Sequence, residues 1–144
     1  MRCLVLALVV LLSGCSSLGD VPPRGVELTC HARTCPSLYE IEGLLAAFQG
    51  EVPEFDPYAA LDVGWYPLNF VFLEGDGTES IGHTVIAEPV LVETTSERVF
   101  IHELMHVHFL RTTGDGDPTH EDGNGPWTEE SNEIIRSIIL INGL

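Results

Sequence analysis

TTSERVFIHELMHVHFLRTTG, residues 94–114, carries a helix start signal, an unbroken helical pattern and a stop signal in one run. Thr94-Thr95-Ser96-Glu97 offers a capping box, Gly114 a terminator, and the stretch between them predicts a helix that ends near Thr112. Val99, Phe100, Ile101, Leu104, Met105, Val107, Phe109 and Leu110 leave it only a narrow polar face, so this helix is expected to be buried with its histidines in a cleft. Residues four apart stand one above the other on a helix, so His102 and His106 can turn both imidazoles onto one ion. Glu103, about 100° further round, flanks them. This is the spacing with which one helical face gives two ligands to zinc and a carboxylate to its water. His108 lies about 160° from His106 and points across the helix, which suits packing or hydrogen bonding better than ligation.

A catalytic zinc needs a third protein ligand and an open position for water. Astacin-like enzymes supply a glycine and a third histidine directly after the motif, but Phe109 and Thr112 stand there in this chain. His120 is the leading candidate, because Gly114, Gly116 and Pro118 would let the chain turn back over the metal. Glu129 or Glu130, the thermolysin-like choice from a following helix, and Asp115 or Asp117 stay open as alternatives. His31 and His83 are less constrained; His83 approaches the cleft only if its strand borders the motif helix. Asp115, Asp117, Glu121, Asp122 and Asn124 admit a calcium site, although their spacing is not that of an EF-hand loop.

His102-Glu103-Leu104-Met105-His106, a spacer, then His120 followed by Gly125-Pro126-Trp127 resembles the SprT-like zinc metalloproteases over roughly residues 97–130. Residues 121–124 are an insertion relative to that pattern. The resemblance implies a minimal zincin: a small β-sheet, a motif helix, zinc held by His102, His106 and His120, and peptide hydrolysis with Glu103 as general base. Members that act on DNA-bound proteins carry basic surfaces, which this chain lacks, so that substrate class does not transfer. The alternative reading is a non-catalytic zinc-binding or calcium-binding envelope lipoprotein.

The chain begins Met1-Arg2, runs apolar from Cys3 to Leu12 and continues Ser13-Gly14-Cys15. That run is too short to span a bilayer and reads as an export signal over residues 1–14. The small residues before the cysteine resemble the lipobox of bacterial lipoproteins, which implies acylation of Cys15 and a membrane-anchored protein of the cell envelope. Ser16 after the cysteine points to the outer membrane where the cell has one. Residues 15–29, with Pro22-Pro23 and Gly25, read as a flexible tether, and residues 30–144 as one metallopeptidase domain.

Against 22 acidic residues stand six basic ones, all arginine, and the net charge is -16. Such a field repels polyphosphates, so no nucleic-acid partner is expected; the expected partners are a peptide or protein substrate and the membrane. Cys30 and Cys35, left over once Cys3 departs with the signal and Cys15 is acylated, are expected to form a disulfide in an oxidising compartment.

Elsewhere the pattern predicts an N-terminal helix capped by Ser37, with Leu38, Ile41, Leu44, Leu45 and Phe48 on its apolar stripe, ending at Gly50. Residues 51–64 read as an irregular connection. Tyr66 to Leu73 reads as a strand followed by a turn at Glu74-Gly75-Asp76-Gly77, and two more β segments fall at about 83–87 and 90–93. Pro89 between them argues for an edge or a bend. Thr128 caps a final helix with Ile134, Ile135, Ile138, Ile139 and Ile141 on its buried face. The fold class expected is therefore α+β, a small sheet packed on the buried motif helix with an N-terminal and a C-terminal helix.

Overall fold

Ser37 opens the first helix as its spacing requires: its hydroxyl accepts from the Glu40 backbone N–H, and the Glu40 carboxylate accepts from the Ser37 backbone N–H at 2.7 Å. In a computed structural model, which describes residues 25–73, 77–116, 120 and 125–144, the elements follow in mixed order. They are β1 (Val26–Cys30), α1 (Leu38–Glu51), β2 (Leu61–Trp65), β3 (Phe72–Leu73), β4 (Glu79–Ser80), β5 (Gly82–Val85), β6 (Val90–Thr94), α2 (Glu97–Thr113) and α3 (Glu129–Ile141). The protein is α+β, as expected. The signal at 1–14, Cys15 and most of the tether lie outside the described residues, and so do Asp117, Glu121, Asp122 and Asn124.

Four strands form one sheet in the order β1-β2-β6-β5. β1, β2 and β6 run parallel, and β5 pairs antiparallel with β6 at the edge. β3 and β4 make a separate two-stranded ribbon. Leu61, Val63 and Trp65 of β2 and Val92 of β6 join Ile41, Leu45 and Phe48 of α1, Phe100, Ile101, Leu104, Met105 and Val107 of α2, and Ile138 of α3 in a single core. Burying each such side chain stabilises the fold by roughly 1.5–3 kcal/mol, and α2 contributes more of them than any other element. That helix starts at Ser96, whose hydroxyl accepts from the Val99 N–H, and stops at Gly114, whose φ of 82° is the left-handed conformation that glycine takes without strain. Its C-terminal end is tied to the chain ahead of β2 by Arg111, which donates to the Ala60 carbonyl at 2.8 Å.

Several expectations need correction. Val26–Cys30 is a strand hydrogen-bonded along β2, so the domain begins before Cys30 and the tether stops short of residue 29. Residues 61–65, placed in an irregular connection, form β2, a central strand of the sheet. Asp62 and Gly64 lower its intrinsic β tendency; pairing on both sides and burial of Leu61, Val63 and Trp65 override that. The run from Tyr66 to Leu73 is a strand only at Phe72–Leu73. The Phe70 N–H donates to the Pro67 carbonyl at 2.8 Å, which turns the chain, and the alternating rings of Tyr66, Phe70 and Phe72 pack on one another 4.7–5.0 Å apart. Leu38 is 50% exposed and Ile141 70%, so neither belongs to the core. Pro89 sits in the connection between edge strand β5 and inner strand β6. Cys30 and Cys35 are joined in a disulfide.

Candidate metal centre

One helical turn of α2 separates His102 from His106, and their Nε2 atoms lie 3.2 Å apart. His120 returns to the same point after the loop that follows Gly114, with its Nε2 2.9 Å from that of His106. Its backbone has φ 54°, the left-handed region that a side chain with a Cβ seldom adopts, and this turn aims the ring back at the helix. One nitrogen from each of the three imidazoles falls within 4.8 Å of the other two.

The His106 ring is set by its other nitrogen, Nδ1, which lies 2.6 Å from the Gly116 carbonyl oxygen. A carbonyl only accepts, so Nδ1 carries the proton and Nε2 presents a lone pair to the cluster. Burial first, and then the neighbouring imidazoles of His106 and His120, pull the His102 pKa down to about 4, so this ring is neutral at physiological pH. A neutral imidazole is the form that a metal requires. Ligand nitrogens at about 2.0–2.1 Å in tetrahedral array stand roughly 3.4 Å apart, close to the 3.2 Å and 2.9 Å that separate His106 Nε2 from those of His102 and His120. An all-imidazole donor set suits a borderline transition metal and is ill-suited to calcium or magnesium, which take oxygen ligands.

Trp127, immediately before the N-cap Thr128 of α3, lies against all three rings. Its ring centre is 4.0 Å from that of His120, 4.7 Å from His106 and 4.9 Å from His102. The indole N–H donates to the Asn132 side chain at 3.1 Å, so α3 holds the indole while the indole backs the imidazoles.

Glu103 is 5% exposed and lies on the side of α2 that faces β5. Its Oε2 accepts from the Thr84 hydroxyl at 2.8 Å. A Cβ added to Gly82 would stand 2.6 Å from Glu103 Oε1 and 2.3 Å from Val99 Cγ1, so only a glycine lets the strand and the helix approach this closely here. Glu103, His102, His106 and His120 all open onto one cleft of about 1210 Å³, walled by β5 on one side and by Ile135 and Ile139 of α3 on another. That is ample for a segment of extended peptide.

Of the residues singled out in the sequence, His102, His106 and His120 come together, and Glu103 shares their cleft. Glu129 does not join them: on the exposed first turn of α3 it takes a 3.0 Å ion pair with Arg136, whose bond, ahead of that from Asn132, holds its carboxyl below the usual range. Glu130 is exposed on the same turn, and neither it nor Asp115 belongs to the histidine group. His108 is half-buried on another face, where burial lowers its pKa. His83 sits beside Glu93, 3.7 Å away across the β5–β6 ladder, and His31 stacks on Tyr66 at 4.4 Å. Gly82, Thr84, the bond from His106 to the Gly116 carbonyl and the stacking of Trp127 are not evident from the sequence. A glycine two residues before a threonine on a candidate edge strand was the one available signal for the first two. No family model matches the chain, and no curated protein or solved structure shows significant similarity to it, so the residues themselves carry the functional argument.

Proposed function

We propose that this protein is a zinc-dependent metallopeptidase of minimal zincin type, exported and held on the bacterial cell envelope by a lipid on Cys15. The observation that carries the reading is the meeting of three imidazoles and a buried glutamate at one peptide-sized cleft. His102, His106 and His120 would hold the zinc, which when bound supplies an acidified water and polarises a carbonyl. Glu103 takes a proton from the attacking water and returns it to the nitrogen of the departing amine as the C–N bond breaks. Gly116 fixes the tautomer of His106, and Trp127 keeps the imidazole of His120 against its partners. The antiparallel edge strand β5, lying along the cleft, is placed to align an extended peptide by strand addition.

The converging nitrogens suit zinc rather than calcium, and of the five residues of the candidate calcium loop only Asp115 lies among the described residues. The anionic chain keeps nucleic acid out of the list of partners and leaves a peptide or protein as substrate. The lipid anchor rests on Leu12-Ser13-Gly14-Cys15. No helix among the described residues is long and apolar enough to cross a membrane.

Replacing Glu103 by Gln separates catalysis from binding. The variant is expected to keep its metal while hydrolysis of quenched fluorescent casein falls by about 10²–10⁴-fold, the contribution of a general base. Undiminished hydrolysis would remove Glu103 as the base, and a native protein that binds zinc but cuts nothing would leave the non-catalytic zinc lipoprotein as the better account.

A further inference from the structure

We infer that β5 is built to hold the Glu103 carboxylate in its working orientation, with Thr84 as a positioning residue and Gly82 as the gap that receives the carboxylate. This assignment rests on the reading of Glu103 as the general base.

Side chains on a strand alternate, so positions 82, 84 and 83 divide between its two faces. His83 turns to Glu93, while Thr84 and the bare Cα of Gly82 turn to α2. Of the two helix-facing positions one has no side chain and the other ends in a hydroxyl. Packing alone would ask for something else, since valine has the shape of threonine without a polar atom to satisfy against a buried helix. What the pair of positions accommodates is a carboxylate. The Thr84 hydroxyl has one proton and two acceptors in range, Glu103 Oε2 at 2.8 Å and the Glu103 backbone carbonyl at 3.4 Å. The shorter contact, to an oxygen that is negative when Glu103 is ionised, takes it.

The last torsion of a glutamate is broad and nearly two-fold, so an unrestrained carboxylate would sample many planes. With Oε2 tied to Thr84 and Oε1 lodged over Gly82, a single plane is selected. A base that must meet a water held by another group depends on such alignment, and an error near 1 Å costs about a hundredfold in rate. Because these two contacts come from the edge strand, the strand shares with the motif helix in defining the site.

The test uses the full chain in four variants: Thr84→Val, Thr84→Ser, Glu103→Gln and Glu103→Leu. Thr84→Val is expected to lower kcat on quenched fluorescent casein by about 10- to 100-fold with KM and zinc content unchanged, and Thr84→Ser to recover most of the loss. In the metal-free protein, thermal melting of Thr84→Val, Glu103→Leu and their double variant should be non-additive, the double losing less than the two singles together. Native kcat in Thr84→Val alongside an inactive Glu103→Gln would overturn the positioning role and leave the base assignment standing. Additive melting losses would likewise overturn it, because the contact itself would be worthless. Native turnover in Glu103→Gln would fail the base assignment and take the positioning role with it.

Discussion

The two edges of the sheet are made differently and do different work. β1 is a parallel edge that runs straight into a disulfide, Cys30–Cys35, and then through α1 back into β2. β5, at the opposite edge, is antiparallel, short and only partly buried, and the positions it turns to α2 are a glycine and a threonine. One edge is fastened by a disulfide that does not line the cleft; the other sets a glycine and a threonine against a carboxylate. On the proposed function, the contrast assigns stability and function to separate strands, so that each should be open to perturbation without the other.

The largest effect that sharpens this contrast lies on the cleft side, where α3 presses Trp127 on the imidazoles. Trp127→Ala should weaken zinc binding by about 10- to 100-fold, the range for removing a group that orients a ligand, as read by competition with a chromophoric chelator. An unchanged affinity would mean that His120 holds its position without the indole. On the other edge the expected effect is smaller and of another kind. Replacing Cys30 and Cys35 by Ala opens a loop with a sequence separation of 5, which by loop-closure entropy costs about 2 kcal/mol of stability. Denaturant unfolding should record that loss, and the zinc affinity of the folded protein should not move. A fall in zinc affinity would break the separation between the edges.

Legibility in the sequence followed the range of the interactions. α2 was readable because its apolar surround, its Gly114 stop and the His102–His106 pair are all local, although the cap is Ser96 bonded to the Val99 N–H and not the expected box of Thr94 and Glu97. α1 and α3 were readable for the same reason, through the caps at Ser37 and Thr128. β2 was not, since a five-residue segment with Asp62 and Gly64 becomes a strand only when β1 and β6 pair on either side. Nor was the break at Pro67, where ring packing among Tyr66, Phe70 and Phe72 imitates the alternation of a strand. Within the site, His120 was reached through the turn-forming residue types that precede it in the sequence. Thr84 and Gly82 were marked only by their spacing on a candidate edge strand, because their value lies in contacts with Glu103, nineteen positions on from Thr84, that this spacing does not encode.

The central claim is that His102, His106 and His120 jointly hold one zinc ion. Metal analysis of the purified native chain, with His120→Ala and Glu129→Ala beside it, tests this most directly. The account predicts about one zinc per chain in the native protein and in Glu129→Ala, and an affinity in His120→Ala reduced by more than the roughly 100-fold that loss of an orienting partner would cost. A native chain that takes up no zinc, or a His120→Ala variant that binds it as tightly as the native protein, would contradict it.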